Sequence, residues 1–104
     1  MTPKFSDRIQ VTIEEDLAEL IPGFLENRRE DVANIINALE KNDFETVRDI
    51  GHDLKGVGGG YGFDAITDMG AALETAAKSQ NGDRVQEQTE ELSSYLERID
   101  IVYE

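Results

Sequence analysis

Residues 51–63 read GHDLKGVGGGYGF. The stretch holds the chain's only histidine, His52, and six of its thirteen positions are glycine. An imidazole can serve as metal ligand, general base or nucleophile, and a glycine run can cradle phosphates, so spacing has to decide between them. A dinucleotide fingerprint needs G-x-G-x-x-G after a strand. Counted from Gly56 the third glycine falls on Tyr61, and counted from Gly58 it falls on Phe63. Gly51 and Gly56 have P-loop spacing, but Val57 and Gly58 stand where Lys and then Ser or Thr are required. One histidine and no cysteine argue against zinc. No D-x-[DN]-x-[DN]-G loop is present for calcium, although an acid-only metal site stays open in so acidic a chain. No G-x-S-x-G elbow supports a serine nucleophile. What remains is His52 itself as a nucleophile towards phosphorus. With no nucleotide-binding motif, the phosphoryl group would arrive from another protein and leave to another.

The element carrying His52 must expose it. At about 100° per residue, Val47, Ile50, Leu54, Val57 and Tyr61 lie between about 140° and about 220° from His52. A helix with that stripe against the core points the histidine at solvent. Lys55 lies one turn on and Arg48 one turn back, both on the histidine side; ordinary salt-bridging is the competing reading, and it weighs more for Arg48. Gly56 and Gly59 fall within about 40° of His52 and leave bare backbone on which a partner could land. Gly51, Gly58 and Gly62 fall on the flank, where they would admit a neighbouring helix; Gly62 could also end the helix in a left-handed conformation. Gly60 fits neither group. Interior glycines cost roughly 0.5–1 kcal/mol each relative to alanine, against a net stability of about 5–15 kcal/mol for a domain, so this density of glycine requires an offset or a purpose.

The rest of the chain reads as helix. Thr12 to Glu15 has capping-box spacing and predicts a short first helix with Leu17, Leu20 and Ile21. Pro22 breaks it or opens the next. The second helix runs to about Glu40 with Phe24, Leu25, Val32, Ile35, Ile36 and Leu39 inward, and with Arg28, Arg29, Glu30 and Asp31 on a solvated face. Asp43 caps the histidine helix, which begins at Phe44. Asp64 caps the next, with Ile66, Met69, Leu73 and Ala76. Asp83 and Gln86 repeat the capping-box spacing before a last helix that carries Val85, Thr89, Leu92, Leu96, Ile99 and Tyr103. No strand pattern, repeat or linker is read. The expected fold is all-α: an antiparallel up-down-up-down four-helix bundle with a short N-terminal capping helix, in a single domain over 1–104 whose residues 1–11 are loosely ordered.

Composition narrows the partners. The chain has 104 residues and a formal net charge of −13. Such a surface repels nucleic acid and anionic membranes. No apolar run approaches the roughly 20 residues of a membrane span, and the first residues lack a signal peptide's apolar core. A monomeric cytoplasmic protein is the expectation.

The segment HDLKGVGGGYGF resembles the H-x-[LI]-K-G-x-x-x-x-x-G signature of histidine-containing phosphotransfer (HPt) domains of bacterial phosphorelays, through His52, Leu54, Lys55, Gly56 and Gly62. More loosely, the layout from Phe24 to Gly56 is similar too: a helix, a turn ending in Asp, then the histidine helix. The resemblance implies a four-helix bundle and a phosphoryl group carried on the ring nitrogen distal to the backbone of His52. It implies that Lys55 stabilises the phosphohistidine and that Gly56 permits docking of a receiver domain. Gly59 and Arg48 join the docking surface from the wheel alone. The implied partners are response-regulator receiver domains and a sensor histidine kinase, with no cofactor of the chain's own, magnesium coming with the receiver. The chain is then a relay carrier without autonomous kinase activity. A non-catalytic receiver-binding adaptor, the phosphotransfer segment of a chemotaxis-type kinase and a small metal- or acid-dependent hydrolase are the alternatives; the absence of a flanking domain favours a stand-alone module.

Overall fold

The computed structural model describes residues 8–104. Four helices dominate: α1 (Ile21–Glu40), α2 (Phe44–Val57), α3 (Asp64–Lys78) and α4 (Gly82–Arg98). Each packs on two others, α1 on α2, α2 on α3, α3 on α4 and α4 back on α1. Their apolar stripes meet in one core that includes Phe24, Ile35, Val47, Leu54, Ile66, Leu73, Val85 and Leu92. The links are short and chemically explicit. Asn42 adopts a left-handed φ of 55° and Asp43 then caps α2, accepting from the Thr46 amide at 3.2 Å. Gln80 does the same with φ 54°, after which Asn81 caps α4 by accepting from the Arg84 amide at 3.1 Å.

Several expectations are corrected. The ends of the chain form a two-stranded parallel sheet: β1 (Ile9–Ile13) pairs with β2 (Ile99–Tyr103), Ile9 facing Ile99 and Ile13 facing Tyr103. Residues 1–7 of the expected loose segment lie outside the described residues, while Ile9–Val11 belong to β1. Thr12 is therefore a strand residue and not a helix cap, and the expected capping helix shrinks to one 3-10 turn, Glu15–Leu17. The last helix stops at Arg98, because Ile99 and Ile101 turn inward at a period of two that a helix cannot serve. Arg8 clips the strands together, donating to the Glu97 carbonyl at 3.0 Å and the Ile99 carbonyl at 3.1 Å and pairing with Asp100 at 2.9 Å. Pro22 opens α1 rather than breaking a helix before it. Asn81 replaces Asp83 as the cap of α4, and Phe63 rather than Asp64 occupies the cap position of α3.

On α1 the solvated face is also revised. Arg28 and Asp31 form a half-buried ion pair at 2.9 Å, with side chains only 15% and 23% exposed, and the guanidinium sits 4.7 Å above the Phe24 ring. Ile36, expected inside, is 48% exposed.

The tightest junction is between α2 and α3, and glycine makes it. A Cβ on Gly70 would lie 2.5 Å from the Lys55 nitrogen and 2.7 Å from the Gly51 carbonyl oxygen; one on Gly51 would lie 2.8 Å from the Glu74 nitrogen. These contacts are to backbone, which cannot step aside. Gly70→Ala is therefore expected to cost about 1–3 kcal/mol through overpacking, a fall in Tm on the order of 5–20 °C for a chain of this size. Gly23→Ala, in α1 with open space around its Cβ position, should leave Tm unchanged or raise it slightly. Thermal unfolding of the two variants checks the contrast, and equal Tm values for Gly70→Ala and wild type would refute the close-packed junction.

Candidate functional site

His52 lies in the second half of α2. The helix buries Val47, Gly51 and Leu54, and the His52 side chain on the far side is 65% exposed, as the wheel predicts. Helix start and end are both fixed. Asp43 accepts from the amide and the hydroxyl of Thr46, and these bonds hold its carboxyl below the ordinary value. After Val57 the chain leaves the α-helical path for a 3-10 turn, Gly59–Tyr61, and Gly62 reverses it with a φ of +93°. A side chain at Gly62 would also strike Ile13 of β1 at 2.8 Å. Stacking of Tyr61 and Phe63 on Phe24, with ring centroids 4.3 and 5.2 Å away, holds this turn against α1.

The imidazole has a partner that sequence reading missed. Glu74 of α3 lies directly under it: His52 Nδ1 is 3.1 Å from Glu74 Oε2, and Lys55 Nζ donates to Glu74 Oε1 at 2.9 Å. Lys78, one turn along α3, places its ammonium 3.9 Å from Oε2. The Glu74 side chain is only 13% exposed, so its charge faces these cations at short range. The hydrogen bond from Lys55, then that from His52 and the fields of Lys55 and Lys78, hold the Glu74 carboxyl below its ordinary value against the opposing effect of burial. A carboxylate only accepts, so the neutral tautomer that fits this contact carries its proton on Nδ1 and keeps the lone pair on Nε2. Nε2 is also the nitrogen distal to the backbone.

The glycines divide much as the wheel suggests. Nothing lies within 4 Å of a Cβ position on Gly56 or on Gly60, so both are bare surface. Gly51 and Gly58 are packing glycines. Gly59 is exposed but looks towards α3, its Cβ position 3.6 Å from Asp64 and Thr67. Arg48 pairs loosely with Asp49 at 3.7 Å and Glu45 at 4.0 Å rather than with Glu74, and lines a shallow pocket with Lys78. The structure thus joins His52 and Lys55 through Glu74, places Gly56 beside them, and leaves Arg48 on the rim. Among the described residues no group of three or more His, Cys, Asp or Glu is placed to hold a metal, and no helix is long and apolar enough to cross a membrane.

The family model for the Hpt domain matches residues 19–101. The chain belongs to the Hpt domain family. The match spans all four helices and the glycine turn, and leaves outside it residues 1–18, with β1 and the 3-10 turn, and the end of β2. No curated relative and no solved structure gives a significant match. Hpt domains are phosphotransfer carriers of two-component phosphorelays rather than kinases, and as a family they engage receiver domains and histidine kinases. An outward imidazole on a four-helix scaffold is what that chemistry needs.

Because the Glu74 carboxyl is depressed in the folded Hpt domain, its contribution to stability is present above the ordinary carboxyl range and is lost as pH falls through the depressed value. Denaturant unfolding of wild type and Glu74→Gln across pH 7 to 2 should show a wild-type advantage at neutral pH that shrinks to nothing in acid. An advantage independent of pH would contradict the ion-paired arrangement.

Proposed function

We propose that His52 is the phospho-acceptor of a relay intermediate, taking its phosphoryl group from a receiver-domain aspartate or a histidine kinase system and passing it to a response-regulator aspartate. The observation that carries this is the contact between His52 Nδ1 and Glu74, which leaves the Nε2 lone pair available on an exposed ring. In the transfer, Nε2 attacks phosphorus and an N–P bond forms. The bond from phosphorus to the aspartyl oxygen breaks, and its electron pair returns to the receiver carboxylate. The ring, still carrying its Nδ1 proton, gains positive charge, which the Glu74 carboxylate at 3.1 Å stabilises. The reverse sequence, with a second receiver's carboxylate as attacker, discharges the carrier.

Lys55 is the cation for the transferred group. Its ammonium rests on Glu74 at 2.9 Å, one helical turn from His52, and a phosphoryl group of about −2 charge competes for it effectively. Gly56, with Gly59 behind it and Arg48 on the rim, forms the surface that admits the receiver, which brings its own magnesium. Short links between successive packed helices support the up-down-up-down order of the bundle. The strongly acidic surface supports the reading of a cytoplasmic monomer.

The test is transfer from a phosphorylated receiver domain. Wild type should gain an acid-labile label, and His52→Gln should gain none; a label that persists in His52→Gln would end the proposal. Lys55→Ala should slow transfer by roughly ten- to a hundredfold, less than the ~10²–10³-fold lost with an enclosed donor because the Lys55 side chain is 42% exposed, with circular dichroism showing an intact fold. An adaptor would behave differently: no label on wild type, receiver binding kept by His52→Gln and abolished by Gly56→Arg.

A further inference from the structure

The C-terminal end of α2 is not closed by its own backbone. The ladder is intact as far as the Gly58 amide, which donates to the Leu54 carbonyl at 3.1 Å. The next rung would run from the Gly59 amide to the Lys55 carbonyl. A side chain from α3 stands in its place: the Gly59 amide donates to Thr67 Oγ1 at 2.8 Å, and the Thr67 hydroxyl donates to the Lys55 carbonyl at 3.1 Å. The hydroxyl both accepts and donates, so it satisfies the two groups that the missing rung would have paired. Side chains inserted into a helical ladder are a recognised cause of bends.

Gly58 is the matching half of this insertion. A Cβ there would lie 2.7 Å from the Thr67 nitrogen, 2.8 Å from Thr67 Oγ1 and 2.8 Å from the Phe63 carbonyl oxygen. Only glycine lets α3 bring Thr67 so near. The Gly58 carbonyl then accepts from the amides of Tyr61 at 3.2 Å and Phe63 at 2.8 Å, which fixes the path of the turn. The residues whose backbone this hydroxyl pins, Lys55 and Gly59, bracket Gly56, and the open Gly60 follows directly. On α3, Thr67, Gly70 and Glu74 follow each other by three and four residues and so share one face. One helix face therefore holds the histidine's ring, the lysine's ammonium and the end of the docking strip.

We propose that Thr67 is a positioning residue for phosphoryl transfer, its hydroxyl holding the α2 ladder open so that Gly56, Gly59 and Gly60 present the bare strip on which the receiver lands. This rests on the relay reading of His52. Without the hydroxyl, the shortest repair is a direct bond from the Gly59 amide to the Lys55 carbonyl, which extends α2 and turns Gly59 and Gly60 out of the strip. The imidazole and Glu74 lie farther back along the two helices and keep their geometry.

The experiment measures initial rates of label transfer from a phosphorylated receiver domain over a range of receiver concentrations, for wild type, Thr67→Ser, Thr67→Val and Thr67→Ala, with Tm for each. Thr67→Val is expected to lower kcat/KM about tenfold, carried by KM with kcat within about twofold of wild type, the signature of lost docking rather than lost chemistry. Thr67→Ala should follow it, and Thr67→Ser, which keeps the hydroxyl, should restore transfer to within about twofold. A purely structural role would lower Tm and leave KM alone. If wild type takes label and Thr67→Val matches its KM, this inference falls and the relay reading stands. If wild type takes no label, both fall. Unfolding of both Thr67→Val and Thr67→Ala would assign Thr67 to the fold and overturn the positioning role.

Discussion

Backbone contact between α2 and α3 at Gly51 and Gly70 sets the dimensions of everything near His52. A methyl group at either position would meet main-chain atoms at 2.5–2.9 Å, so the helices can lie this close only while both positions are bare. Their closeness brings the short side chain of Glu74 within reach of a ring on the neighbouring helix and lets the Thr67 hydroxyl enter a backbone ladder. It also decides the energy balance of a glycine-rich helix. Gly51 and Gly56 within α2 cost roughly 0.5–1 kcal/mol each in helix propensity. Full burial of a side chain such as Val47 or Leu54 returns roughly 1.5–3 kcal/mol, so α2 is held by what it packs against rather than by its own preference. Gly56 and Gly60 have nothing within 4 Å of a Cβ position, so they add nothing to that packing and leave the outer face bare.

The electrostatics of the site run against those of the molecule. The chain carries a net −13, yet His52, Lys55 and Lys78 gather around the single Glu74 carboxylate. Glu45, Asp49 and Asp53 lie on the same helix just beyond. Small anionic phosphodonors in solution are repelled by such a surround, because unit charges a few ångströms apart still interact by about 1–4 kcal/mol near a protein surface. In the proposed relay a docked receiver would offset this by burying contact surface, so the acidic surround would favour transfer between proteins over capture of free phosphate compounds.

What could be read from sequence follows how far each feature reaches along the chain. The outward direction of His52 and the burial of Val47 and Leu54 follow from one helix's own periodicity. Asp43 as a cap and Gly62 as a left-handed stop are likewise local. Glu74 and Thr67 were not legible, because their roles depend on how α2 and α3 cross, and His52 and Glu74 are 22 residues apart. A signal did exist: Gly70 interrupts an otherwise good helix opposite a glycine-rich one, and two such glycines point to a close crossing that would bring nearby polar side chains into register. The strands were missed for a different reason. Ile9, Val11 and Ile13 alternate with polar residues, but the capping-box spacing of Thr12 and Glu15 offered a competing helical reading. Ile99 and Tyr103 fit a helical step of four as well as a strand step of two, and only the presence of a partner strand, 90 residues away in register, decides between them. Arg28 and Asp31 looked solvated because both are charged, whereas the guanidinium covers the Phe24 ring and keeps its partner beside it.

A carrier that must both accept and surrender a phosphoryl group cannot hold it tightly, and the exposure of His52 bears on that directly. Two unit charges about 4 Å apart attract by about 1 kcal/mol in water and about 4 kcal/mol at the effective dielectric of a partly enclosed site. The difference of about 3 kcal/mol is roughly a hundredfold in an equilibrium constant. An imidazole sunk into the core beside a lysine would take the group and keep it. Here the ring is 65% exposed while its carboxylate partner is 13% exposed, so the charge that fixes the tautomer is sheltered and the charge that arrives with phosphate is solvated. On the proposed relay reading, orientation and retention are thereby separated: Glu74 would govern which nitrogen reacts, and water would limit how strongly Lys55 and Lys78 hold the product. In the relay proposed for His52, the group would stay labile in the free protein, and a receiver covering the bare strip by Gly56 would exclude that water and let the same cations act at greater strength at the moment of transfer.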